Sequence, residues 1–163
     1  MSIEKEMEVI AEQERILQFE HFNAETAWSI GSRLRQDALE RVAGMTFEIQ
    51  IAGRTVFLGT TDGAKGEHVD WIRRKRNVVM KFSRSSYWMS LELQLKGKNM
   101  EARHEGIFYT DYAMHGGAFP IVLRGTGLVG TIIASGLHQR VDHAMVVDAI
   151  AAERGVDVER LEP

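Results

Sequence analysis

Two pairs of short apolar segments, each joined by a tight glycine-containing turn, constrain the fold of this chain most strongly. Residues 46–59 alternate apolar and polar side chains on either side of Gly53-Arg54. Residues 121–135 form two apolar runs separated by Gly125-Thr126-Gly127. Apolar segments that lie this close in sequence pair as antiparallel hairpins. The sequence therefore predicts an antiparallel sheet built from hairpins.

Helical periodicity surrounds these hairpins. Apolar residues at helical spacing predict helices over residues 3–15, 23–42, 70–82, 87–95 and 141–154. Leu17-Gln18-Phe19 alternates like a short strand, which would be the fifth. Hairpins without strand–helix–strand repeats are typical of the α+β class. We therefore expect an α+β chain with a five-stranded antiparallel sheet flanked by helices.

Composition favours one intracellular folded unit. We expect a single domain over residues 1–163, with an N-terminal helix over 1–15 and a tail over 155–163, because no linker or repeat interrupts the chain. The absence of cysteine excludes disulfides and thiolate metal sites. The acidic N-terminus is unlike a secretory signal, and no run approaches the roughly 20 apolar residues of a membrane span. We predict a cytoplasmic protein that does not bind membranes.

A basic run on the third predicted helix is the first candidate site. Arg73, Arg74, Lys75 and Arg76 are consecutive, so they point in different directions and cannot all meet one ligand. In one interpretation Arg74 or Lys75, with Ser85-Ser86, binds an anion such as a carboxylate or phosphate. In the other, the run is a solvated face or contacts the acidic N-terminal helix of the same or a neighbouring subunit.

The segment His115-Gly116-Gly117 is the second candidate. Adjacent glycines let the backbone approach a ligand and leave N–H groups free to bind an anion. His115 is a candidate metal ligand, with Tyr109 or Tyr112 as oxygen alternatives. The alternative is a glycine turn that shapes the entry into a buried strand at Phe119, beside a surface histidine.

The strand-to-helix corner from Ser135 to His143 is the third candidate. Asp142 and His143 form a proton-handling pair in one interpretation, and His138 shares a metal with His143 in another. Otherwise this is a corner held by local hydrogen bonds. A protein metal site needs at least three placed ligands, which the sequence does not supply, so we predict no metal site.

These segments, together with Trp71–Lys75 and Phe82–Ser86, resemble the haem-degrading-domain family. The resemblance is carried mainly by residues 115–121 and 130–143, and it extends from about Phe22 to Ala151. It is strongest to uncharacterised intracellular members and more distant to extracellular haem-binding proteins and the glycolate-operon accessory protein. His138 departs from the pattern, since that branch tends to have proline there.

The resemblance implies a profilin-like fold, haem as a cofactor of some relatives, and homo-oligomers in which dimers build a larger ring. We expect the segments named above to fold around one shared hollow. The ligand-binding residues predicted there are Trp71, Arg74, Lys75, Phe82, Ser85, Ser86, His115, Gly116, Gly117, Phe119, Ser135, Asp142 and His143.

Three functions follow from these observations. The first is a small-ligand binding protein for haem or a similar anionic tetrapyrrole, working in an oligomeric assembly. The alternative is a non-enzymatic oligomeric scaffold or adaptor. A third hypothesis is a small-molecule enzyme that uses Asp142 and His143. The net charge of −3 disfavours nucleic-acid binding, which usually needs a basic surface.

Overall fold

The computed structural model of the protein describes residues 1–162. None of the helices within this range is both long and apolar enough to cross a membrane. The elements, in chain order, are α1 (Ile3–Ile16), α2 (Ala24–Glu40), β1 (Thr46–Ile51), β2 (Arg54–Thr60), α3 (Glu67–Phe82), α4 (Ser86–Lys96), α5 (Met100–Arg103), β3 (Ala118–Leu123), β4 (Gly127–Ser135) and α6 (Gln139–Arg154).

The strands form one antiparallel sheet in the order β2-β1-β4-β3. Both predicted hairpins are present, and β1 pairs with β4 to join them. Strands β1 and β4 are therefore central, while β2 and β3 form the edges. The α+β class and the helix-flanked sheet expected from the sequence are confirmed.

The sheet of residues 1–162 has four strands, so the expectation of five is wrong. Phe19 instead makes one isolated parallel bridge to Leu123. Its N–H donates to the Val122 carbonyl at 2.8 Å, and its carbonyl accepts from Arg124 N–H at 2.9 Å. Helix α1 ends at Ile16 and Asn23 already caps α2, so the connecting segment is too short to extend this bridge into a strand.

Helices α2 and α6 cover one face of the sheet. The alternation of β1 sends Phe47 and Ile49 into this layer, where they pack with Ile132 of β4. Asn23 begins α2 as predicted, since its Oδ1 accepts from Thr26 N–H at 2.9 Å. This layer contains the largest cluster of buried apolar side chains.

Helices α3 and α4 cover the opposite face, and α1 lies outside α4. Ile72 and Val79 of α3 pack against Ala118 of β3 and Ile133 of β4. Because side chains alternate along a strand, Ser135 points to the same face as Ile133. The carboxyl end of β4 therefore presents a polar side chain to α3.

Candidate functional site

A pocket of about 240 Å³ lies between α3, the segment before β3 and the corner that connects β4 to α6. We refer to it as the Lys75 pocket. It is lined by Glu67, His68, Trp71, Lys75, His115, Ser135, Gly136, Leu137, Gln139 and Asp142. Five of these were predicted as site residues: Trp71, Lys75, His115, Ser135 and Asp142. Segments that are far apart in sequence therefore meet at one hollow.

Lys75 lies on the buried stripe of α3 and not on a solvated face. It follows Ile72 by three residues and precedes Val79 by four, so all three side chains face the sheet. Only 3% of Lys75 is exposed. The solvated-face interpretation of the basic run is thus incorrect for this residue.

The Lys75 ammonium is held by an ion pair in the protein interior. It donates to Asp142 Oδ2 at 3.2 Å and to the Ala134 carbonyl at 3.3 Å. Asp142 Oδ1 accepts from Leu137 N–H at 3.0 Å. Burial lowers the pKa of Lys75 and raises the pKa of Asp142, and in each case the partner's charge opposes the shift. Each ion therefore depends on the other for its charge.

Gly116 and Gly117 bring the entry of β3 close to this ion pair. A Cβ on Gly117 would lie 2.4 Å from the Ala134 carbonyl oxygen and 2.9 Å from Lys75 Nζ. A Cβ on Gly116 would lie 2.2 Å from the carbonyl oxygen of Gln139. Both glycines are buried and permit close approach of protein to protein. They shape the wall behind the pocket.

Trp71 and His115 form the rim. Their rings meet edge to face with centroids 5.0 Å apart. The Arg74 guanidinium lies 4.2 Å above the Trp71 ring and donates from Nε to Asp70 at 2.8 Å. Burial, followed by the positive charges of Lys75 and Arg74, lowers the pKa of His115. Its imidazole is therefore neutral at pH 7 and keeps a lone pair.

Four other predicted residues have contacts away from the pocket lining. Ser85 caps α4, since its Oγ accepts from Trp88 N–H at 3.3 Å. Ser86 Oγ accepts from Ala118 N–H at 3.0 Å and so fixes α4 to β3. The Phe82 ring packs against His104, and Phe119 lies in the main core. All four hold the elements that surround the pocket.

His143 also lies apart from the pocket. It is fully buried, with Nε2 placed 3.0 Å from Gln13 Oε1 of α1 and the rings of Tyr87 and Phe119 alongside. Because both Asp142 oxygens bond to other groups, the interpretation in which Asp142 and His143 form a proton-handling pair has no counterpart in the geometry. Burial, with a smaller effect of Arg140, lowers the pKa of His143 to about 3.

The interpretation in which His138 and His143 share a metal has no counterpart in the geometry. His138 Nδ1 accepts from Arg140 N–H at 3.4 Å and caps α6. Within residues 1–162, no group of three or more His, Cys, Asp or Glu side chains is placed to hold a metal ion.

Sequence reasoning missed five lining residues: Glu67, His68, Gly136, Leu137 and Gln139. One signal was available, since His68, Trp71 and Lys75 recur at spacings of three and four residues on one face of α3. Gly136 and Leu137 have no periodicity, because they lie between β4 and α6. Leu137 is held there by its N–H, which donates to Asp142 Oδ1.

Comparisons with known proteins agree with the resemblance read from the sequence. The family described as "Haem degrading protein HbpS-like" matches residues 22–151. A UPF0303 protein of Azotobacter vinelandii is 48% identical over 162 residues, which are 99% of this chain and 95% of that protein.

Two solved structures share the fold. The Ybr137w protein has a TM-score of 0.83 at 24% identity, covering 93% of this chain and 90% of its own. A complex of PduOC with haem has a TM-score of 0.66 at 15% identity, and the match covers 86% of this chain and 99% of that chain. At these identities the similarity bears on the fold alone.

The buried ion pair generates a stability prediction. Asp142→Asn leaves the Lys75 charge without a counter-ion in the interior, so we expect the free energy of unfolding to fall by about 3–5 kcal/mol. Lys75→Met should have a comparable effect, because it leaves the Asp142 carboxylate without a counter-ion. The double variant should lose less stability than the two single variants added together, and the difference should be about 0.5–3 kcal/mol. Urea unfolding monitored by circular dichroism measures all three.

The matched control is the exposed pair Arg124–Glu20, whose side chains are 48% and 64% exposed. Arg124→Met should change the free energy of unfolding by no more than about 1 kcal/mol. Additive effects of Asp142→Asn and Lys75→Met would contradict a coupled pair.

His143 generates a pH prediction. The folded pKa of His143 is about 3, whereas an unfolded histidine titrates near its ordinary value of 6.5. Above pH 6.5 His143 is neutral in both the folded and the unfolded state, so protonation of His143 does not reduce the stability of the fold. As the pH falls below that value, only the unfolded chain gains the proton, so His143 should reduce stability by about 1.4 kcal/mol per pH unit until about pH 3.

Unfolding free energies of the natural protein and of His143→Gln, measured between pH 7 and pH 4, test this. The His143→Gln variant should lack the part of the pH dependence of stability that His143 contributes. His21→Gln, at an exposed imidazole, should retain it. Equal slopes for the natural protein and His143→Gln would show that His143 titrates normally.

Proposed function

The chain belongs to the HbpS-like family of haem degrading proteins, and from this we propose that it binds haem, or a similar anionic tetrapyrrole, at the Lys75 pocket. One observation carries the proposal: the pocket is built from Trp71, Lys75, His115 and Asp142, all within the matched residues 22–151. Support also comes from the PduOC–haem complex, a protein of the same fold that holds this ligand.

His115 is the residue we expect to contact the iron. It is exposed at the rim and its imidazole is neutral, so a nitrogen lone pair is available to a metal. The edge contact with Trp71 restricts the direction of the ring. His115 would hold haem through its iron, which would accept a nitrogen ligand.

The size of the pocket decides how such a ligand fits. Its volume of about 240 Å³ is below the roughly 300–1,000 Å³ of typical small-molecule sites. A tetrapyrrole would therefore place one edge inside the pocket and leave the rest of the ring across the rim. A second copy of the chain that covers this exposed ring would complete the site.

Exposed apolar residues support self-association, in line with the proposed homo-oligomer of dimers that build a ring. Leu58 lies on the edge strand β2 and is 66% exposed, and Trp28 of α2 is 65% exposed. An edge strand presents unpaired backbone groups that can pair with another chain. The same surfaces would serve the second candidate function, a non-enzymatic scaffold or adaptor.

Haemin titration tests the leading proposal. Purified protein should give a saturable shift of the haemin Soret band at micromolar concentrations. His115→Ala should change the position of that band and weaken binding at least about tenfold, or about 1.4 kcal/mol, because the iron ligand is lost. No saturable shift with the natural protein would refute haem binding.

His21→Ala is the control for this titration, since His21 is exposed and lies outside the Lys75 pocket. It should bind haemin as the natural protein does. If both alanine variants behave alike while haemin still binds, His115 is not the ligand.

Light scattering tests the assembly. The natural protein should give a mass well above the 18.4 kDa of one chain. Combined Leu58→Lys and Trp28→Ser should lower that mass, because a charge on an edge strand opposes pairing. Leu95→Ser on α4 is the control and should leave the mass unchanged. A natural protein that is strictly monomeric contradicts both the ring and the scaffold.

A further inference from the structure

Gln139 lines the Lys75 pocket, and its side-chain oxygen is held by two hydrogen bonds. Gly116 N–H donates to Gln139 Oε1 at 3.1 Å, and Ser90 Oγ is 3.0 Å from the same oxygen. A backbone N–H can only donate, so the oxygen must lie on this side. The NH₂ group then has no partner within residues 1–162 and remains available as a donor.

His68 presents a second donor. Its Nδ1 accepts from Lys65 N–H at 3.3 Å, so the ring hydrogen is on Nε2. His68 is 7% exposed and lines the pocket. Nε2 has no protein partner in the described part of the chain.

Ser135 and Lys75 provide two further hydrogen-bond donors at the floor of the Lys75 pocket. Ser135 is buried, and its hydroxyl has no hydrogen bond to any of residues 1–162. The Lys75 ammonium carries three hydrogens, of which two are directed to Ala134 and Asp142. One N–H of a buried charged group is therefore left for a ligand.

The carboxylate acceptors in the interior of the pocket are already used, and the free lone pair of His115 lies at the rim. Asp142 Oδ1 and Oδ2 accept from Leu137 and Lys75. Glu67 lines the pocket at the rim, where it is exposed to solvent. The unfilled hydrogen-bonding capacity of the interior therefore consists mainly of donors, which a group with several acceptor lone pairs and no hydrogen matches best. An ionised carboxylate has about four such lone-pair sites.

We infer that the Lys75 pocket binds a carboxylate group through Lys75, Ser135, His68 and Gln139, an assignment that rests on the proposed function for placing a ligand in this pocket. The carboxylate belongs either to a tetrapyrrole propionate or to a free small carboxylic acid. The two sources share one chemistry, a planar anion that accepts from convergent donors.

Gln139→Glu is the decisive variant. It keeps an oxygen that accepts from Gly116 and Ser90, but replaces the NH₂ donor with a carboxylate oxygen. A ligand carboxylate would then meet a like charge, so its binding should weaken at least tenfold. Gln36→Glu adds the same charge at an exposed position of α2 and is the matched control. Ser135→Ala, which removes one donor, should weaken binding about two- to tenfold.

Four ligands separate the sources: haemin, haemin dimethyl ester, succinate and succinamide. The ester keeps the ring and iron but lacks free propionates, and the amide keeps the length of succinate but lacks charge. Affinities are measured by Soret titration for the first two and by calorimetry for the others. Thermal unfolding of each variant shows whether it is folded.

Each outcome bears on one or both proposals. If haemin binds more tightly than its ester, and only the haemin affinity falls in Gln139→Glu, the propionate is the bound group. A second outcome is that succinate binds more tightly than succinamide and loses affinity in Gln139→Glu, while haemin does not bind. In that case the carboxylate assignment holds and the haem proposal fails. If haemin and its ester bind equally in the natural protein and in Gln139→Glu, the carboxylate assignment is overturned while haem binding stands. If none of the four ligands binds, both are overturned.

Discussion

The ion pair between Lys75 and Asp142 is the interaction on which the candidate site depends. Taking both charges out of water is unfavourable, so the pair depends on further hydrogen bonds in addition to its own. The Ala134 carbonyl and Leu137 N–H supply two of them, from the end of β4 and the corner that follows. Gly117 allows the entry of β3 to pass beside the ammonium, where a Cβ would lie 2.9 Å from Nζ. One pair thereby fixes the positions of α3, β3, β4 and α6 around a hollow.

The same arrangement explains why the hollow is polar although it borders a hydrophobic layer. Ile72 and Val79 of α3 pack against the sheet on the same helix face as Lys75, while Lys75 and Asp142 line the pocket. Since Asp142 is occupied, the groups that remain open toward the pocket are mainly donors. The rim adds the Trp71 ring and a neutral imidazole at His115. This combination of floor and rim is the basis for proposing an anionic tetrapyrrole as the ligand.

Local patterns predicted the fold well and the site only in part. Both hairpins followed from alternation and glycine turns, which act over a few residues. The fifth strand failed because Phe19 has the local alternation of a strand but pairs with Leu123 at one position only. A solvated face was one interpretation of the run of four basic residues that includes Lys75, whereas the spacing of Lys75 from Ile72 and Val79 places it inside. His143 was unpredictable for a different reason, because its partner Gln13 lies 130 residues away on a helix outside the family match.

Amide chemical shifts measured with a diamagnetic porphyrin test most directly whether the ligand sits at the Lys75 pocket. In a titration of ¹⁵N-labelled protein with gallium protoporphyrin, the largest shifts should fall on His115, Leu137 and Gln139, which line the pocket on two separate segments. Shifts concentrated instead around Trp28 and Leu58, on the α2 and β2 side, would place the ligand elsewhere and contradict the account.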